Sequence, residues 1–243
     1  WGMVIVVLGV IAVHLFGNVD AVSFHPDEAW WISAGYYYYQ LMFIKQDFSP
    51  ASWSKRGFTV FGLLSPPAGK YFTGMAMHIA LPPGTYYYPY DFQRSPEENQ
   101  KAGNIPPPEV MRPARLMSAL ASFAVCLTIF LICMKAWDWI VGMLASLILA
   151  FNDLFTLCCL RAMTDSYLIL FLCLAVLCSI FLAQTIGDKP ARFLLLCAVS
   201  GIIAGICTSV KLNGVMTVGF LGLAILFLLI TRQPRNMKQF VLF

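Results

Sequence analysis

Charge is scarce in this sequence: Lys, Arg, Asp and Glu make up 12% of its 243 residues, against 59% hydrophobic residues. So little polar surface cannot cover a water-soluble globule of this length, and the composition calls for a membrane protein. A basic stripe is missing too. The net charge is only +4 and the basic residues are scattered among apolar segments, so nucleic acid is not an expected partner. Metal-ligand spacing is absent: His14, His25 and His78 are dispersed, and the eight cysteines lie in apolar segments without a CxxC or Cys/His pattern. The cysteines read as small buried hydrophobes, which supports neither a disulfide scaffold nor a zinc site. No P-loop or other soluble-nucleotide motif occurs. Nor is there the internal repeat expected of repeat-built transporters.

What the chain does have is long apolar runs. A bilayer span takes roughly 17 to 25 mostly apolar residues. The runs predict spans at about 1–19, 116–134, 139–157, 166–186, 193–210 and 214–231, with a seventh starting near Gln239. The first has no charged segment or small-residue cleavage site before it, so it reads as a transmembrane helix and not a signal peptide. Both ends, Trp1 and Phe243, fall inside apolar runs, and the chain is expected to be incomplete at both. The predicted fold is an all-α, multispanning helical bundle with a long first loop, about 20–115, that holds most of the prolines and charges. Within that loop, Trp30, Ala34, Tyr37, Leu41 and Ile44 follow a helical period, predicting an interfacial helix from Asp27 to about Ile44. A second is expected over 66–81, with Ser65 as N-cap and Pro66 at its first position. The tyrosine runs 36–39 and 86–88 read as an interfacial belt, and the remainder of the loop as irregular turns.

Basic residues orient the bundle. The junctions after spans two, four and six carry Lys135, Lys189, Arg192, Arg232, Arg235 and Lys238, whereas the short junctions on the other side carry only Arg161 and Lys211. The long loop is therefore expected at the outer or lumenal face. Because each span reverses direction, that face also receives the junctions between spans three and four and between five and six. Asp27, Glu28, Lys70, Arg115, Arg161, Asp165 and Lys211 then share one side although they are far apart in sequence. Ionisable groups at span depth cost roughly 2.5–3.5 kcal/mol on insertion scales and usually face a cavity or one another. Each has a plainer reading: a helix-dipole contact for Asp27 and Glu28, a helical ion pair for Arg161 and Asp165, snorkelling for Lys70, Arg115 and Lys211. Their common side is what points to a site.

Carboxylates beside cations at a membrane surface suit transfer of a group from a lipid phosphate. A carboxylate takes the proton of an acceptor hydroxyl, and Lys or Arg stabilises the charge on the departing phosphate. A non-catalytic lipid- or anion-binding subunit of a membrane complex, or a transporter, would use the same cationic cavity for binding alone.

Five stretches, "HPDEAWW", "SPPAGK", "RLMSAL", "RAMTDSYL" and "SVKLNG", in this order, resemble motifs of the multispanning glycosyltransferases of the C-type fold, especially protein O-mannosyltransferases and aminoarabinose transferases. The resemblance runs nearly end to end and implies the N-terminal module of that fold. It implies an inverting transfer from a polyprenyl-phosphate sugar, with Asp27 as general base assisted by Glu28. Lys70, Arg115, Arg161, Asp165 and Lys211 would then serve donor phosphate or site architecture. No cofactor or metal is required on this reading. The donor and membrane lipids are the implied partners, with the sugar left open and the acceptor a protein, lipid or glycan.

Overall fold

The computed structural model describes residues 2–54, 66–185 and 190–230. Ser65, the Lys189, Arg232, Arg235 and Lys238 positions used for orientation, and the seventh span expected from Gln239 lie outside them. Among the described residues the chain is all-α, with eleven helices and no strand. In chain order these are α1 (Gly2–Gly17), α2 (Pro26–Tyr39), α3 (Pro50–Trp53), α4 (Ala68–Ala80), α5 (Pro96–Lys101) and α6 (Pro108–Ala136). There follow α7 (Trp139–Ala150), α8 (Asp153–Cys159), α9 (Asp165–Thr185), α10 (Pro190–Val210) and α11 (Val215–Ile230). Three of them, α6, α9 and α10, are long and apolar enough to cross a bilayer. Helix α1 is apolar but shorter; its sixteen residues reach about 24 Å at 1.5 Å per residue.

Helix α6 is the central element, packing against α1, α4, α7 and α9. Its buried face is built largely from small residues, Ala114, Ser118, Ala119, Ala121, Ser122 and Cys126, which let neighbouring backbones come close where lipid offers no hydrophobic drive for helix association. Ser122 Oγ donates to Ser118 O of its own helix (2.8 Å) and to Cys159 O of α8 (3.0 Å), which keeps these carbonyls and the hydroxyl satisfied. Ile11 and Leu15 of α1 join Ala119, Cys126, Ala150 and Leu160 in the main core, while Met3, Ile5, Val6, Val10 and Val13 remain exposed. In a bilayer that outer apolar stripe faces lipid.

The expected span 139–157 is not one helix. It breaks between α7 and α8 with a bend of 67°, because Asn152 is a helix-start residue: its Oδ1 accepts from Phe155 N at 2.9 Å. The His14 ring stacks on Phe151 at the break, with centroids 4.2 Å apart.

The loop region also departs from expectation. Helix α2 runs on through one π-helical stretch, Gln40–Lys45, and is largely buried against α4 instead of lying open in the interface. The two cross at backbone contact: a Cβ on Gly74 would meet Gly35 O at 2.3 Å, so only glycine fits there. Tyr36 and Tyr38 are therefore core residues and not belt residues. Tyr36 packs edge-on against Tyr86 at 4.8 Å, and the Tyr38 hydroxyl donates to Trp53 O. Helix α4 begins at Ala68, with Pro67 in the N-cap position, two residues later than expected. Residues read as irregular turns include α5, and a fully buried Asn99 knots the segment around it. Its amide donates to Asp91 O, Arg94 O and Ser95 O, and its Oδ1 accepts from Asp91 N.

Candidate active site

The stretch "HPDE" is a helix start. His25 is the extended N-cap of α2, Pro26 stands at N1, and a capping box closes the turn. His25 Nδ1 accepts from Asp27 N at 3.2 Å, and Glu28 Oε2 accepts from His25 N at 2.9 Å. This local geometry sends the two adjacent carboxylates in different directions.

Glu28 points inward and is fully buried. Its Oε1 accepts from Arg115 Nε and from Ala162 N, both at 2.8 Å; its Oε2 accepts from Arg115 Nη2 at 2.8 Å besides His25 N. The Arg115 guanidinium, with a side chain 4% exposed, also donates from Nη1 to Val19 O (3.0 Å) and Val22 O (2.8 Å). One bidentate pair thus fastens four segments: the end of α1, the start of α2, α6, and the stretch between α8 and α9. Buried charge is tolerable only when paired and hydrogen-bonded in this way. The sequence expectation is that Glu28 assists Asp27 and that Arg115 serves donor phosphate or site architecture; in the fold their polar atoms are engaged with each other and with backbone, an arrangement that suits architecture.

Asp27 points outward. Its side chain is 35% exposed, and its contact is His25 Nδ1 at 3.8 Å from Oδ2. Arg161 reaches Ser23, four residues before Asp27 in the chain, donating from Nε to Ser23 O (3.3 Å) and from Nη2 to Ser23 Oγ (3.1 Å). The helical ion pair expected between Arg161 and Asp165 is not formed. Asp165 pairs instead with Lys211 across the gap between α9 and α10, Nζ to Oδ1 at 2.9 Å, with the lysine side chain 43% exposed. Asp165 is three residues beyond Ala162, whose amide binds Glu28, and Thr164 between them packs on α4, where a Cβ on Gly69 would lie 2.4 Å from its methyl. Of Asp27, Arg161, Asp165 and Lys211, the last two pair directly, and Arg161 precedes Ala162, whose amide binds Glu28, the neighbour of Asp27 in the chain.

Lys70 sits deeper than expected. It is fully buried between α4 and α2, with Nζ 5.3 Å from the Tyr38 ring and 6.0 Å from the Trp31 ring. Burial pulls its pKa down to about 8. The sign of the consequence follows from proton counting. Below pH 8 the amine is protonated in both folded and unfolded chains, and the cost of burying the charge is fully present. As the pH rises through 8 towards the ordinary lysine range, the folded chain releases the proton first and gains stability. Detergent melting of the wild type is expected to rise between about pH 7 and pH 9.5, by on the order of 2 kcal/mol, and Lys70→Met should remove that rise. Parallel profiles for the two proteins would contradict it. Above that window the tyrosines with raised pKa values, Tyr38 at about 12 among them, act in the opposite sense.

His25 is the residue that reading the sequence missed. The histidines look dispersed, yet the pattern of a residue before Pro with Glu three positions on is the signature of a capping box, and it would have placed His25 against Asp27.

Among the described residues no three His, Cys, Asp or Glu side chains gather as metal ligands would. A groove of about 290 Å³ lies between α9 and α11, lined by Leu172, Cys173, Val176, Met216, Thr217 and Phe220. It begins seven residues along α9 from Asp165, about 10 Å along the helix axis. Comparison with protein-family models matches residues 58–242 to the family described as dolichyl-phosphate-mannose-protein mannosyltransferase. The matched stretch takes in Lys70, Arg115, Arg161, Asp165 and Lys211 and starts after Asp27 and Glu28. Comparison with curated proteins and with solved structures returned no match.

Proposed function

Since this chain belongs to the dolichyl-phosphate-mannose-protein mannosyltransferase family, whose members are membrane glycosyltransferases that use a polyprenyl-phosphate sugar donor, we propose that it transfers the sugar to an acceptor hydroxyl with inversion at the sugar carbon. Asp27 is the general base. The protein is an integral membrane protein, multi-pass on this reading, with the active face outer or lumenal as the basic residues of the junctions argue. The observation that carries the proposal is the division of labour in the acidic pair: Glu28 is locked into the fold, and Asp27 keeps a partly exposed carboxylate at the start of α2.

The step balances as a single displacement. The acceptor oxygen bonds to the sugar carbon as its proton passes to an Asp27 oxygen, while the bond from that carbon to the phosphate oxygen breaks. Attack from the side opposite the leaving group inverts the centre. Polyprenyl phosphate departs with the bonding pair, and Lys211 and Arg161 balance the charge it gains. An ammonium has three donors, so Lys211 held at 2.9 Å by Asp165 still has donors to offer a phosphate. The groove between α9 and α11 suits the apolar tail. Side chains supply every role in this scheme, so it requires no metal ion or other cofactor. The family name favours mannose and a protein acceptor.

Lys211 provides the test. Lys211→Met keeps the packing of the stem and removes the charge. It is expected to weaken donor binding about tenfold or more, on the scale of one charged hydrogen bond, and Lys211→Arg should restore part of the loss. Donor affinity and turnover both unaffected by Lys211→Met would leave the lysine as a snorkelling residue and remove it from the site.

A further inference from the structure

The displacement described above leaves His25 without a task, although its ring lies 3.8 Å from the Asp27 carboxylate. Its Nδ1 makes two contacts of opposite character: it accepts the Asp27 amide N–H at 3.2 Å, and it lies 3.8 Å from Asp27 Oδ2. Only the neutral ring with Nδ1 unprotonated can accept, which puts the ring proton on Nε2. A proton added at Nδ1 reverses the group from acceptor to donor. It would give up the cap, and the carboxylate is the acceptor within reach.

We propose that His25 is a positioning residue that gates Asp27: the neutral ring caps the turn and leaves the carboxylate to the acceptor hydroxyl, and the protonated ring engages the carboxylate and withdraws it. This rests on Asp27 being the base. No bond to the sugar is involved, and the proton comes from and returns to solvent. The charged groups around the ring are Asp27 on its own helix and Glu28, whose Oε2 holds the His25 amide. Arg115 reaches it through Glu28, and Arg161 through Ser23, two residues before. The two arginines are tied to Glu28 and to Ser23, which leaves Asp27 as the carboxylate facing Nδ1. Tyr90 meets Phe24, next to His25, ring to ring at 5.9 Å.

The test is the pH profile of kcat/KM for the wild type, His25→Asn and His25→Ser in the same detergent or liposome preparation. Asn and Ser are both good cap acceptors, and neither takes up a proton between pH 5 and 8. The wild type should lose activity as the pH is lowered from about 8 to about 5.5. Both variants should match it within about threefold at pH 8 and exceed it about tenfold near pH 5.5. Coincident acid limbs overturn the proposal. So does loss of activity at every pH with the fold intact, or loss of the fold in both variants, which would make His25 a structural residue alone. Failure of the gate is distinct from failure of the base. If Asp27→Asn is inactive and the limbs coincide, only the gate falls; if Asp27→Asn is fully active, the assignment of Asp27 falls with it.

Discussion

Asp27→Asn is expected to lower turnover by about two orders of magnitude or more, while its melting temperature in detergent and its affinity for the donor stay close to wild type. The size follows from what a positioned general base contributes, typically 10²- to 10⁴-fold. The selectivity follows from the structure. The Asp27 carboxylate is not part of the tie that holds α2, α6 and the stretch before α9 together, and the Asp27 amide that His25 Nδ1 accepts stays in place in the asparagine. Asparagine keeps the shape and loses only the capacity to take a proton. Steady-state turnover beside a melting curve separates the outcomes: turnover near wild type would remove Asp27 from the mechanism, and a large fall in melting temperature would make it a structural residue.

Glu28→Gln should behave in the opposite way, as a folding defect first. It leaves the Arg115 guanidinium buried without its counter-charge. Breaking such a pair from one side ordinarily costs about 3–5 kcal/mol, a large share of the stability of most domains. Arg115→Met should cost as much, because Glu28 is then a fully buried carboxylate and Val19 O and Val22 O lose their donor. The double change Glu28→Gln with Arg115→Met should be milder than the sum of the two, since no charge is left unpaired, although backbone partners remain unsatisfied. A melting series on the four proteins checks this. Additive losses would show that the pair is not coupled.

How far the site was legible in the sequence differs residue by residue, for physical reasons. Span parity needed only hydropathy; it expects Asp27, Arg161, Asp165 and Lys211 on one side, and the fold pairs two of them, Asp165 with Lys211. Pairing was not legible. Arg161 and Asp165 are at helical spacing, but they fall at the break before α9, so the i, i+4 rule does not apply and each takes a long-range partner, Ser23 and Lys211. Depth was not legible either. Lys70 and Arg115 look like snorkelling cations in a hydropathy window, and whether a long side chain reaches outward or inward depends on what α2 brings against it. For Arg115 that is Glu28 and for Lys70 the rings of Tyr38 and Trp31. The division between Asp27 and Glu28 was half legible. The capping box in "HPDE" fixes Glu28 towards the N-cap, but its burial comes from Arg115, 87 residues further on. The break between α7 and α8 was signalled by Asn152 and Asp153, a helix start inside an apolar run, and was lost to the run's overall hydropathy.

The most direct measurement follows a polyprenyl-phosphate sugar, labelled in both sugar and lipid, in membranes holding the wild-type protein or Asp27→Asn together with an acceptor bearing free hydroxyls. A transfer site built on Asp27 predicts that the wild type moves the sugar to the acceptor with one equivalent of polyprenyl phosphate released, and that Asp27→Asn binds the same donor but releases almost none. Donor held by both proteins with no release from either, or released equally by both, would contradict it, the first outcome leaving a lipid-binding subunit and the second a transferase whose base lies elsewhere.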